Sequence, residues 1–149
     1  MVLPSRMNRA EQQQSMINVK NTQRSSVQFT HDGKVIKQYR GIDAVERFNR
    51  EVMMLRHLEA EGCDFVPRLL EADSSVLQII TTNCGMSVEY LDAGRLKEIF
   101  DELEKYGVRH EDQARRNIIY RHLDGRFCVI DFEFAERISP SGSFSMLLS

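Results

Sequence analysis

No run of apolar residues in this chain approaches the roughly 20 that a helix needs to cross a bilayer. Cysteine is scarce. Cys63, Cys84 and Cys128 are the whole set, odd in number, far apart and without a C-x-x-C spacing. That pattern argues against a disulfide framework or a zinc site and for a reducing compartment. Residues Met1 to Ser15 lack the apolar stretch of a secretory signal, so a cytoplasmic location is expected. Neither charge dominates: 20 Lys and Arg stand against 22 Asp and Glu, a formal net charge of −2. Such a balance gives no general attraction to nucleic acid or to an anionic membrane. Arg115 and Arg116 form only a local basic pair.

What is present suits one soluble domain. The chain has 149 residues, of which 42% are hydrophobic and 28% charged, enough for a core and a solvated surface. Residues 1–16 are polar and include Gln12-Gln13-Gln14, and they read as a flexible tail. Val27-Gln28-Phe29-Thr30 alternates as a strand does. His31-Asp32-Gly33-Lys34 reads as a tight turn, and Val35 to Tyr39 as the return strand. A further strand is expected around Ile17-Asn18-Val19. Asp43 is placed to cap a helix in which Val45, Phe48, Val52, Leu55 and Leu58 recur at helical spacing, with Gly62 ending it. Phe65 to Ala72 and Val76 to Ile80 read as two more strands. Asp92 is placed to cap a second helix carrying Leu96, Ile99, Phe100, Leu103 and Tyr106, stopped by Gly107. Ile118-Ile119-Tyr120 and Phe127 to Ile130 flank Asp124-Gly125 as a short hairpin. Residues 139–149 read as a second flexible tail.

Two segments carry chemistry. His110, Asp112 and Asn117 have the form H-x-D-x-x-x-x-N, directly after the second helix. Val129-Ile130-Asp131 is an apolar strand that ends in an aspartate, followed by Phe132 and Glu133. Upstream, Lys37 lies on the strand after the Asp-Gly turn, and Glu51 lies in mid-helix. Taken singly each has a bland alternative. Lys37 would be a solvated edge charge, Glu51 a solvent-facing helix residue, and Asp112, Asn117 and Asp131 turn residues bonding their own backbone.

In that order, these residues resemble the protein-kinase-like superfamily. The resemblance spans roughly Ile17 to Ile138 and implies an α+β fold: a small β-rich N-lobe with one helix, joined to a truncated C-lobe, as a minimal kinase-like domain over residues 17–138. It implies ATP and Mg²⁺ as cofactors. Lys37 would hold the α- and β-phosphates, and Glu51 would pair with it, with Glu46 the weaker candidate. Asn117 and Asp131 would bind Mg²⁺ and nucleotide, and Asp112 would serve the attacking hydroxyl. His110 would brace the loop. Arg116 is similar to an arginine of the tyrosine-kinase loop and could steady a substrate or γ-phosphate.

The pattern departs from the family in three places. No G-x-G-x-x-G precedes Lys37. The corresponding turn, Asn21 to Ser26, has hydroxyls and Arg24 but no glycine. Asp131-Phe132-Glu133 stands where D-F-G is usual, a triplet similar to choline-kinase-like and aminoglycoside-phosphotransferase-like families. Only a short tail follows Ile138, so the helices of a peptide-substrate platform have no counterpart. The expected activity is transfer of the ATP γ-phosphate to a hydroxyl, with protein serine/threonine as the default acceptor and a small-molecule alcohol as the alternative that Glu133 favours. A non-catalytic, nucleotide-binding pseudokinase is a second reading, with a homodimer or protein partner covering the truncated C-lobe. A plain α+β protein with chance motifs is a third, in which Lys37, Asp112 and Asp131 do not converge.

Overall fold

The computed structural model describes residues 16–139. The expected tails therefore lie almost wholly outside the described residues; Met16, placed in the first tail, already belongs to a strand. A five-stranded antiparallel sheet comes first, in the order β1-β2-β3-β5-β4. Its strands are β1 (Met16–Asn21), β2 (Ser25–Thr30), β3 (Lys34–Tyr39), β4 (Leu69–Asp73) and β5 (Gln78–Thr82). The β2–β3 connection is tight because Gly33 takes φ +82°. The Thr30 hydroxyl also accepts from the Lys34 N–H at 3.0 Å and donates to Asp32. This register sets Val27 opposite Lys37, and Lys37 opposite Ile79 on its other side.

Helix α1 (Ala44–Ala60) crosses the sheet and contacts β3, β4 and β5. Phe48, Val52, Leu55 and Leu58 form its buried stripe, as their spacing predicts, whereas Val45 is exposed. Arg47 and Glu51, one turn apart, are buried with that stripe. The helix ends in a Schellman turn: Cys63 N–H donates to the Leu58 carbonyl at 2.9 Å and Gly62 N–H to Glu59 at 3.0 Å, with Gly62 at φ +79°. The expected cap at the other end is corrected. Asp43 stands at the N-cap position, but its backbone is left-handed and its side chain makes no capping bond.

The next two strands are also displaced from expectation. Phe65 to Arg68 is not a strand; Phe65 and Val66 insert into the core instead, and pairing begins at Leu69. Val76 and Leu77 lie in the β4–β5 turn, with Leu77 at φ +53°. Burial, rather than backbone pairing, accounts for the apolar character of Phe65 and Val66.

Beyond the sheet lies a smaller assembly of α2 (Ala93–Glu104), a three-stranded sheet and a two-stranded ribbon. The sheet runs β6 (Met86–Ser87), β8 (Ile118–Arg121), β9 (Arg126–Val129), and the ribbon pairs β7 (Val108–Arg109) with β10 (Glu136–Arg137). The Asp92 carboxylate caps α2 by accepting from Arg95 N–H at 2.9 Å. Ile99, Phe100 and Leu103 face inward, and Gly107 at φ +87° closes the turn after the helix. The β8–β9 hairpin turns at Asp124-Gly125, where Arg121 grips Asp124 with two bonds of 2.9 Å. One core joins both parts, from Tyr39 and Ile79 through Leu58 and Phe65 to Phe100, Val129 and Phe132. Among the described residues no helix is long and apolar enough to cross a membrane.

The two parts meet at the segment entering β6. Gly85 has φ +146°, and a Cβ there would lie 1.9 Å from the Tyr120 carbonyl oxygen. Backbone cannot yield as a flexible side chain would. Gly85→Ala is therefore expected to cost on the order of 2 kcal/mol or more, read as a lowered urea midpoint; an unchanged midpoint would show that this contact is not rigid.

Candidate active site

The sheet, α1 and the segment after β9 converge on the Lys37 ammonium. Its Nζ donates to Glu51 Oε1 at 2.9 Å, to Glu133 Oε2 at 2.8 Å and to Asp131 Oδ1 at 3.3 Å. Lys37, Glu51 and Glu133 have side chains at most 12% exposed, so these are interior ion pairs rather than surface ones. Of the two helix glutamates weighed for this pairing, Glu51 is buried and Glu46 exposed.

Glu51 is fully engaged. Besides Lys37, its Oε1 accepts from the Tyr39 hydroxyl, and its Oε2 accepts from Phe132 N–H at 3.0 Å. Glu133 has its second oxygen on Arg47 Nη1 at 2.9 Å. Arg47 is anchored in turn: Nε donates to the Ile42 carbonyl at 2.9 Å and Nη2 to the Arg40 carbonyl at 2.6 Å. Arg47, Tyr39 and the pairing of Glu133 were not legible as parts of the site. Arg47 sits on a helix surface where an arginine usually meets water, and only its i to i+4 spacing to Glu51 hinted at a shared face.

The charges follow from this crowding. Burial opposes the Lys37 charge, but Glu51, Asp131 and Glu133 outweigh it and keep the ammonium protonated far above an ordinary lysine. Glu133 is pushed up by burial, yet Lys37 and bonds from Asp131 and Arg47 bring it down to about 2. Asp131 moves the other way. Desolvation, opposed by Lys37 and reinforced by Glu51 and Glu133, raises it to about 6. Three carboxylates around two cations leave one negative charge over, and Asp131 is the carboxylate whose charged form is held least firmly.

Asp131 is less enclosed than Glu51 and Glu133. One edge opens on solvent, leaving the side chain 45% exposed. Its backbone is left-handed, at φ +73°, a conformation that Asp tolerates better than most residues.

Across the cleft the His110–Asn117 loop is held from inside. His110 is buried between the rings of Phe100 and Phe132, with centroids 5.4 and 5.5 Å away. Its Nδ1 accepts from Asp112 N–H at 3.0 Å, so Nε2 carries the proton and donates to the Ile130 carbonyl at 2.9 Å. The bracing expected of His110 thus falls on the residue before Asp131. Asn117 Nδ2 donates to the Asp112 carbonyl at 2.8 Å and to Oδ2 at 3.0 Å. Arg116, weighed as a substrate contact, instead grips Asp112 with both ends of its guanidinium, Nε at 3.1 Å and Nη2 at 2.9 Å.

Lys37, Asp112 and Asp131 line one cleft of about 560 Å³, together with Glu133, Lys20 from β1 and Arg24 from the β1–β2 turn. The separation required by chance motifs is therefore absent. The turn is ordered by side chains rather than glycine: Thr22 Oγ1 accepts from the N–H groups of Arg24 at 3.2 Å and Ser25 at 3.1 Å. The Arg24 guanidinium lies 5.3 Å from the centre of the Phe134 ring.

Oxygen donors dominate the set, as a hard cation such as Mg²⁺ prefers. The Glu51, Asp131 and Glu133 carboxylates lie within 4.8 Å of one another, but the Lys37 ammonium already occupies their centre. Asp131 also lines the open cleft with Glu111 and Asp112, whereas Asn117 is not among the lining residues.

Two solved structures of Rio2 kinase from Chaetomium thermophilum match this architecture. One is an ADP/Mg²⁺-phosphoaspartate complex, with TM-score 0.60 at 16% identity over 90% of this chain and 52% of that one. The other has TM-score 0.61 at 17% identity, over 90% and 54%. The fold is therefore protein-kinase-like: a β-rich N-lobe with one helix and a partial C-lobe. The chain spans about half the length of the structures it matches. No protein-family profile matches it, and no curated protein matches its sequence.

Arg47→Met would leave Glu133 buried against one cation instead of two. Breaking a buried pair from one side costs about 3–5 kcal/mol, so that loss is expected in urea unfolding followed by circular dichroism. Adding Glu133→Gln should recover most of it, because no unpaired charge then remains; a double variant as unstable as the single one would count against the pairing.

Proposed function

We propose that this chain binds ATP with Mg²⁺ and transfers the γ-phosphate to a hydroxyl. The observation that carries the reading is the convergence of Lys37, tied to Glu51 on α1, with Asp131 and Asp112 around a single cleft. In this reading Lys37 binds the α- and β-phosphates, and Glu51 fixes its head. Asp131 and the Asn117 amide oxygen hold Mg²⁺, which neutralises charge building on the phosphates. Asp112 orients the acceptor hydroxyl and takes its proton. The default acceptor is a protein serine or threonine, and a small-molecule alcohol is the alternative.

A nucleotide needs room that the free site partly denies it. Lys37 is held by Glu133 as well as Glu51, so phosphate oxygens must draw the ammonium outward. Asp131 binds metal only when ionised, and its raised value, about 6, makes that ionisation incomplete in mild acid. Mg²⁺-dependent ATP affinity should accordingly climb as pH rises through about 6, the value to which Asp131 is raised, because protons compete with the cation at that carboxylate. Calorimetric titration with ATP, with and without Mg²⁺, tests this. Asp131→Asn keeps a side chain that tolerates the left-handed backbone and should lose the Mg²⁺-dependent binding together with its pH dependence. Binding unaffected by the substitution would overturn the metal assignment.

One observation favours a non-catalytic binding module: Asp112 is clamped by Arg116 and Asn117, which together occupy both of its oxygens. The two readings separate on Asp112→Asn. A phosphotransferase should lose transfer by about a hundred-fold or more while ATP affinity stays within about two-fold. Transfer that persists undiminished would remove Asp112 from the chemistry, and ATP binding without any transfer in the parent protein would favour the module.

A further inference from the structure

Lys20 and Arg24 line the nucleotide cleft, and among the described residues neither forms an ion pair. Lys20 lies opposite Val27 on β2, and Val27 lies opposite Lys37 on β3. Residues paired across strands share a face of the sheet, so Lys20 stands on the face of Lys37, two strands and about 10 Å away. Arg24 follows in the β1–β2 turn. Its guanidinium rests on the exposed ring of Phe134, one residue beyond Glu133. Lys37 is enclosed among its three carboxylates, whereas Lys20 and Arg24 are exposed.

The turn that carries Arg24 is fastened through its backbone. The Arg24 carbonyl accepts from Arg40 N–H at 2.8 Å and from Arg47 Nη1 at 3.3 Å. The Arg40 guanidinium donates to the Asn21 side-chain oxygen and to the Thr22 carbonyl. Gly41, at φ +80°, packs against the same turn, where a Cβ would lie 2.8 Å from the Gln23 carbonyl oxygen. Arg47 also holds Glu133, so the turn and the segment after β9 share one anchor on α1. A glycine-rich loop offers phosphate its backbone N–H groups, because glycine lets the chain approach closely. Here the N–H groups of Arg24 and Ser25 already donate to Thr22 Oγ1. An anion arriving at this turn therefore meets side chains.

We propose that Lys20 and Arg24 hold the terminal phosphate of a nucleoside triphosphate through their side chains, from a turn that stays fixed on α1. The inference rests on the ATP reading and deepens it by assigning the phosphate that Lys37 does not reach. Lys37 is the enclosed cation and takes the inner phosphates; the two exposed cations take the outer one. Glu111 and Asp112 line the same cleft and repel an anion, so a bare phosphate tail needs these cations to enter it. Arg24 brings a planar fork of donors that matches phosphate oxygens in pairs, and Lys20 brings a point charge. Leaving Phe134 costs Arg24 little, because a cation on an exposed ring is weakly held. The site then discriminates by phosphate count: a diphosphate fills only the inner part and leaves both outer cations without a partner.

Calorimetric titration of the full chain with ATP and with ADP, each with Mg²⁺, tests the assignment. Arg24→Met keeps an unbranched stem against Phe134 and every backbone bond of the turn, so its urea midpoint should match that of the parent. Its ATP affinity should fall about ten-fold or more, while its ADP affinity stays within about two-fold. Lys20→Met should act in the same direction, and the double variant should lose more than either. Arg24→Lys, which keeps the charge without the fork, should recover part of the loss. ATP affinity within about two-fold of the parent in the double variant, or a loss as large for ADP as for ATP, would overturn the assignment and leave the ATP reading in place. A parent chain that binds neither nucleotide would overturn both.

Discussion

The ammonium of Lys37 is the group on which the rest depends. It arrives from β3, but its three acceptors come from α1 and from the segment after β9. None of these elements can leave without stranding buried charge, and a stranded charge costs more than the intact pair contributes. The small N-lobe is therefore fixed to the partial C-lobe by electrostatics as well as by the shared core around Leu58, Phe65 and Phe132. The arrangement also leaves the cluster short of one positive charge. That deficit is what makes the outer edge of Asp131 seek a proton or a cation.

Glu133 changes the character of this centre. Where a glycine is usual it supplies a third carboxylate, and Arg47 on α1 holds that carboxylate from behind. The helix is thus bound to the strand-end segment twice, once through Arg47–Glu133 and once through Glu51 to Phe132 N–H. In kinases the lysine–glutamate pair is a point of control, because the helix can move away from it. Here such a movement would uncover two glutamates and an arginine. The second tie favours a helix that stays docked.

Much of this was legible in the chain because it rests on local chemistry. The 3.6-residue recurrence of Phe48, Val52, Leu55 and Leu58 marks a helix whatever it packs against. Gly33, Gly62, Gly107 and Gly125 mark turns because each adopts positive φ. His110, Asp112 and Asn117 announce themselves by spacing, since a short loop must present all three together. The readings that failed are those settled by neighbours. Phe65 and Val66 look like strand residues, but they are core residues at a bend in the chain. Asp43 looks like a capping aspartate, but its backbone is left-handed and its side chain makes no capping bond. The two-residue strands β6, β7 and β10 carry too little pattern to be seen.

The sequence by itself determined the two helices, the β2–β3 and β8–β9 hairpins, and the order lysine, glutamate, His110–Asn117 loop and strand aspartate. Those depend on backbone preference and on periodicity, which act over a few residues. Tertiary structure alone decided that Arg47 is an interior cation, that Glu133 shares Lys37, and that Arg116 grips Asp112 rather than standing free. Ion pairing depends on distance in space: the partners of Lys37 lie 14, 94 and 96 residues away along the chain, yet all are within 3.3 Å of its nitrogen. No local preference encodes such a contact; it exists only once burial has removed the water that would otherwise solvate each charge alone.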